Sequence, residues 1–144
     1  MRLIDQPFRL GAELDAFSAA VAPAGAVVSF TGVVRDEGGT LKRMEIEHYP
    51  GMTEAALAEI ARDAEQRWSL VGALVIHRHG ILYPGEHIMM VATAARHRAE
   101  AFIAAEFLMD YLKSRAPFWK KETRLDGTAW VAAREQDETA LGRW

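Results

Sequence analysis

The stretch from His97 to Ala132 limits the fold more than any other part of the chain. A helix-forming run from about His97 reaches Lys113 and must stop by Pro117, which lacks a backbone donor and disfavours helix in the residue before it. Phe118 to Leu125 and Thr128 to Ala132 then read as two strands joined across Asp126–Gly127, a strong two-residue turn signal. A helix that hands directly to a hairpin points to a mixed architecture of strands and helices.

The rest of the chain repeats that alternation with no linker, internal repeat or low-complexity segment. Leu10 to Val21 predicts a short amphipathic helix closed by the Pro23–Gly25 turn. Ala26 to Arg35 is β-branched and aromatic, a buried strand in which Gly32 marks a close approach or a bulge. Asp36 to Leu41 is a polar loop. Lys42 to Tyr49 alternates, with Met44, Ile46 and His48 on one side. Thr53 is the expected N-cap of a helix running to about Trp68, with Ala56, Ile60, Ala64 and Arg67 along one stripe. Val71 to His79 and His87 to Ala95 predict two more strands, separated by a turn at Tyr83–Pro84–Gly85–Glu86. The tail, Arg134 to Trp144, is charged and either helical or loose.

A chain of 144 residues fits a single domain over residues 1–144. It has no cysteine, which removes disulfides, thiolate metal ligands and cysteine nucleophiles. The N-terminus lacks the apolar stretch of a signal peptide, and no run approaches the ~18 apolar residues of a membrane span. A cytoplasmic protein is expected. The net charge of −3 argues against a nucleic-acid-binding domain.

Against that acidic background, with 20 Asp+Glu and 17 Lys+Arg, one segment is cationic. His97, Arg98, Lys113, Arg115, Lys120 and Lys121 fall between Arg96 and Glu122. This concentration suggests an anionic small molecule or a carboxylate tail as ligand. Strand alternation puts Phe118, Lys120 and Glu122 on one face and Lys121 on the other. Each cation also has a plainer reading. Lys113 and Arg115 suit a helix C-terminus. Lys120 and Lys121 suit a solvated strand edge, and Arg35 could simply pair with Asp36 or Glu37. Met109 reads as core packing. His77 and His79 share a strand face and could chelate a metal, but no third ligand stands out.

Five stretches, in order, carry a resemblance to a known family: FTGVVR (Phe30–Arg35), EIEHYPGMTE (Glu45–Glu54), VIHRHGILYPGE (Val75–Glu86), ARHRAEAF (Ala95–Phe102) and MDYLKSRAPFWKKE (Met109–Glu122) followed by GTAWV (Gly127–Val131). Over nearly its full length the chain resembles the catalytic (large) subunit family of molybdopterin synthase. That resemblance implies an α+β hammerhead fold, a mixed, mostly antiparallel sheet with packed helices. It implies sulfur transfer to cyclic pyranopterin monophosphate, making the dithiolene of molybdopterin. The sulfur would come from a thiocarboxylate on the Gly-Gly C-terminus of a small ubiquitin-like subunit, in a complex of two large and two small subunits. By the same resemblance Lys113 and Lys120 are the catalytic lysines. Glu122 is the acidic partner of Lys120, and Lys121 lies within the same FWKKE substrate-binding motif. Arg35 lines the pocket, and His97 and Arg98 hold the pterin. No metal or other cofactor is implied.

The residues suit that chemistry. A cyclic phosphate and a thiocarboxylate are both anions, which arginine can meet with a planar fork and lysine with a compact donor. Lysines crowded in a partly dry site can have lowered pKa values and act as acid or base. Helix length adds a constraint. His97 and Arg98 open the helix and Lys113 closes it, roughly 22–24 Å apart at the α-helical rise. A pterin monophosphate spans on the order of 10 Å. If both ends serve one pocket, they come from two copies of the chain, which predicts a homodimer. Two other classes remain: a non-catalytic module gripping a ubiquitin-like tail, and a small metal-binding protein built on His77 and His79.

Overall fold

The computed structural model describes residues 1–132 and 134–144. Among the described residues eight strands and four α-helices follow in the order β1 (Arg2–Ile4), α1 (Leu10–Ala20), β2 (Ala26–Val33), β3 (Leu41–His48), α2 (Met52–Arg67), β4 (Gly72–Arg78), β5 (Gly80–Leu82), β6 (His87–Ala95), α3 (Arg98–Ser114), β7 (Phe118–Arg124), β8 (Gly127–Trp130) and α4 (Glu135–Leu141). A short 3-10 turn, Glu37–Gly39, occupies the loop between β2 and β3.

The strands form two four-stranded sheets, ordered β1-β4-β6-β2 and β5-β3-β7-β8. The β1–β4 pair is parallel and every other pair antiparallel. The expected α+β class and mostly antiparallel pairing are present, divided between two sheets. β6 shows why the first sheet forms. Its sequence, HIMMVATAA, is buried from Ile88 to Ala95 because the strand is interior to the sheet and covered on both faces. On one side Leu10, Leu14 and Phe17 of α1 pack against Ile76, Met90 and Ala92. On the other, Val75, Met89 and Val91 join Leu57, Phe107 and Leu108 of α2 and α3 in the main core. Met44 and Ile46 of β3 belong to that same core and tie the second sheet to it.

The structure refines several sequence expectations. Pairing between β2 and β6 shifts register between Gly32 and Val33, the bulge that Gly32 signalled. Thr53 is not the N-cap of α2. Gly51 takes that position at φ +81°, a left-handed conformation suited to glycine, and the Glu54 carboxylate accepts its N–H at 2.6 Å. Thr53 instead is fully buried, inside the helix and inside the protein. The apolar stripe of α2 runs through Thr53, Leu57, Ile60, Ala61 and Ala64, so Leu57 replaces Ala56 and Arg67 stays exposed. The tail is helical over Glu135–Leu141, and its last residue packs back onto the body: Trp144 meets the rings of Trp68 and Phe107 edge-on.

Candidate active site

Helix α3 ends where the sequence requires it to, and its end builds the site. Lys113 lies in the last turn, a position favoured for a cation by the helix dipole. The Arg115 and Ala116 N–H groups both return to the Tyr111 carbonyl, closing the helix, and Pro117 passes the chain into β7.

Two buried contacts fix the start of β7. The Thr53 hydroxyl donates to the Pro117 carbonyl at 3.0 Å and accepts the Tyr49 N–H at 2.9 Å, joining α2, β3 and the α3–β7 turn. The His77 ring stacks on Phe118 with centroids 3.9 Å apart and planes 16° from parallel. Its Nδ1 lies 2.8 Å from the Arg78 carbonyl, so Nδ1 carries the proton and donates, leaving Nε2 as the ring's acceptor.

Alternation along β7 then separates neighbouring side chains. Lys120 faces inward and is substantially buried. Burial pulls its ammonium from 10.5 down to about 8, and repulsion from Lys113 pushes the same way. Asp137 and Glu122 oppose that shift, while Arg134 adds to it. Burial likewise lowers His77 to about 3, helped by Lys120 and Lys113 and opposed by its bond to the Arg78 carbonyl, so the ring is neutral at physiological pH. Glu122, two residues beyond Lys120, is held by Arg124 through contacts of 2.7 Å and 3.2 Å.

Not every residue singled out from the sequence joins this site. Lys113, Lys120 and Glu122 come together. Lys121 does not. Its ammonium lies 3.8 Å from Glu45 and 3.9 Å from Glu47, with the Trp130 ring 5.0 Å away, on the opposite face of the strand. The substrate-binding role expected of Lys121 finds no support in that placement. Arg35, just beyond β2, forms an exposed ion pair with Glu37, the plainer reading of that residue. His97 is the N-cap of α3 and Arg98 its first residue, both exposed, at the far end of the helix from Lys113. Arg98 and Lys113 stand at opposite ends of α3, about 22 Å apart at the α-helical rise, as the helix length predicted.

The histidines divide differently from the metal-site reading. His77 goes to Phe118, whereas His79 packs against His48 at 4.3 Å between ring centroids. Among the described residues no group of three or more His, Asp or Glu side chains is placed to hold a metal ion. Sequence reasoning missed the His77–Phe118 stack. The available signals were His77 inside the apolar VIHR strand and Phe118 two residues before Lys120 on one strand face.

A model of the family described as "MoaE protein" matches residues 3–115. The molybdopterin synthase catalytic subunit of Cereibacter sphaeroides is 68% identical, with 100% of each chain covered. A solved structure, the molybdopterin biosynthesis MoaE protein from Burkholderia ambifaria, superposes with a TM-score of 0.85 at 50% identity, covering 99% of this chain and 95% of that one. The crystal structure of molybdopterin synthase from Staphylococcus aureus superposes with a TM-score of 0.81 at 29% identity, covering 90% of this chain and 95% of that one. With its α3–β7 lysine pair and near-complete overlap with these relatives, the chain belongs to the MoaE family of molybdopterin synthase catalytic subunits.

Proposed function

We propose that this protein is the large, catalytic subunit of a molybdopterin synthase. It would transfer sulfur from the C-terminal thiocarboxylate of a small ubiquitin-like subunit to cyclic pyranopterin monophosphate. The observation that carries the residue-level reading is the placement of Lys120, largely buried beside Lys113, with its ammonium pulled down to about 8. A lysine so poised exchanges its proton near neutral pH, as general acid–base catalysis requires. Attack of the thiocarboxylate sulfur on an electrophilic pterin carbon forms a C–S bond while a carbon–oxygen bond at that carbon breaks toward oxygen, which takes up a proton, and the sulfur is left acylated. Water must then cleave the acyl–sulfur bond, returning the partner's tail as a carboxylate and leaving the sulfur on the pterin. Both stages develop negative charge and move protons. Lys113 supplies a second cation for that charge, and Glu122 sets the local balance.

His97 and Arg98 fit the same reading if the pocket is shared between two copies of the chain. One copy would give Lys113 and Lys120, and the other His97 and Arg98 for the phosphate and pterin. Two large and two small subunits then make two equivalent sites. No helix of the described residues is long and apolar enough to cross a membrane, and the chain has no cysteine. A cytoplasmic location is part of this proposal.

The test is one incubation of the protein with thiocarboxylated small subunit and cyclic pyranopterin monophosphate, followed by mass analysis of the pterin. Gain of sulfur on the pterin is the expected result. Tight binding of the small subunit with the pterin unchanged would leave only a tail-gripping module.

A further inference from the structure

We infer that His77 is a positioning residue for the catalytic lysine: tied to the Arg78 carbonyl and stacked flat on Phe118, its ring is the dry wall beside which Lys120 leaves strand β7. The inference takes its catalytic meaning from the molybdopterin synthase reading above.

The geometry carries it. His77 belongs to β4 in the first sheet and Phe118 to β7 in the second, so their stack joins the two sheets at the root of the lysine site. Phe118 and Lys120 are two residues apart on one strand and project to the same face. A ring clamped over Phe118 therefore limits both where β7 starts and how much water reaches Lys120. The hydrogen bond to the Arg78 carbonyl holds the ring in one orientation and one tautomer. His77 is 5% exposed, so little else than protein surrounds the ring.

Neutrality matters as much as shape. The groups acting on Lys120 are Lys113 from α3, Glu122 from its own strand, and Arg134 and Asp137 at the start of α4. His77 feels Lys120, Lys113 and His79. An imidazolium at this point would place another cation against the lysine pair. The buried ring stays uncharged and supplies dryness without that charge. A leucine or phenylalanine could also be dry, but neither would bond the Arg78 carbonyl.

Competitive acylation of lysine amines, read by mass spectrometry across pH, tests the wall without relying on turnover. In the wild-type protein Lys120 should label with an inflection near pH 8. His77→Ala admits water, so the inflection should rise by about one unit, roughly a tenfold smaller neutral fraction at pH 7. His77→Phe keeps an apolar plate over Phe118 and should leave the inflection within about 0.3 units of wild type. Should His77→Ala not fold, as judged by circular dichroism, Phe118→Leu removes the other half of the stack and should raise the inflection by at least about half a unit. An unchanged inflection in folded His77→Ala, or in Phe118→Leu when it must stand in, overturns the inference. So does an equal shift in His77→Phe. Product formation is scored separately in the same preparations. Wild-type protein that makes no product yet shows the labelling shifts defeats the synthase reading and keeps the wall. Product without the shifts does the reverse.

Discussion

Lys120 and Lys121 are the same residue type, adjacent on one strand, yet they belong to different chemistries. Directly opposite Lys121 stand Glu45 on β3 and Trp130 on β8. The sheet itself supplies that lysine with a carboxylate and an aromatic face, the usual cross-strand company of a surface cation. Opposite Lys120 stands Ile46, which is 1% exposed and part of the core. No counter-charge meets Lys120 across the ladder, and its nearest strong influence is another cation, Lys113. A cation set against apolar packing and a like charge works against stability. Such a placement fits the acid–base role proposed for Lys120.

The largest expected effect breaks or confirms this contrast directly. Lys120→Ala should reduce sulfur transfer about 10²–10⁴-fold, the range for loss of a positioned acid or base. Lys121→Ala should stay within about threefold of wild type, as expected for a lost surface pair. Equal losses would mean that both faces of β7 line the pocket. Lys113→Ala should be as damaging as Lys120→Ala, because it removes one cation and lets the Lys120 pKa rise. Lys113→Arg keeps the charge but cannot give up its proton. Near-normal turnover by that variant would reduce Lys113 to an electrostatic anchor.

A smaller effect sharpens the contrast across subunits. Arg98→Ala and Lys113→Ala, each inactive alone, should complement when mixed and allowed to exchange. Random reassortment makes half the dimers mixed, and each mixed dimer has one intact pocket, so about a quarter of wild-type activity should return. Verified mixed dimers that remain inactive would remove His97 and Arg98 from the pocket.

The parts of this molecule legible in its sequence are those fixed locally. The Pro117 break, the hairpin between β7 and β8 and the period of β3 depend on a few adjacent residues, although the two loop residues are Leu125 and Asp126, one position before the expected Asp126–Gly127 pair, and Gly127 opens β8. So does the split between Lys120 and Lys121, because alternation needs no tertiary contact. β1 and β5 were not legible. Each is three residues long and is a strand only because β4 or β3 lies beside it. Thr53 had the chemistry of an N-cap, but the Pro117 carbonyl, remote in sequence, claimed its hydroxyl. The His77–Phe118 stack was hidden for the same reason. It forms where two sheets meet, and burial, which sets the Lys120 pKa, exists only after they do.

The smallest effects concern stability, and here the two lysines should differ in sign. Below about pH 8 both folded and unfolded chains carry a protonated Lys120, so the fold bears the full penalty of burying that cation. Between about 8 and 10.5 the folded protein releases the proton while the unfolded chain keeps it. The unfolded state then binds more protons, and stability rises with pH. Lys120→Met removes the penalty. It should melt at a higher temperature than wild type at pH 7, with the advantage shrinking as pH approaches 10.5. A variant no more stable at pH 7 would show that Lys120 finds water in the folded protein. Lys121→Met should do the opposite and much less. It loses pairs with Glu45 and Glu47 that reach only 3.8 Å and 3.9 Å at a partly exposed site. Such pairs contribute about 0.2–1 kcal/mol. At 1 M salt, where the screening length is about 3 Å, most of that difference should disappear. A loss at Lys121 that survives high salt would have to come from its stem packing over Trp130 rather than from charge.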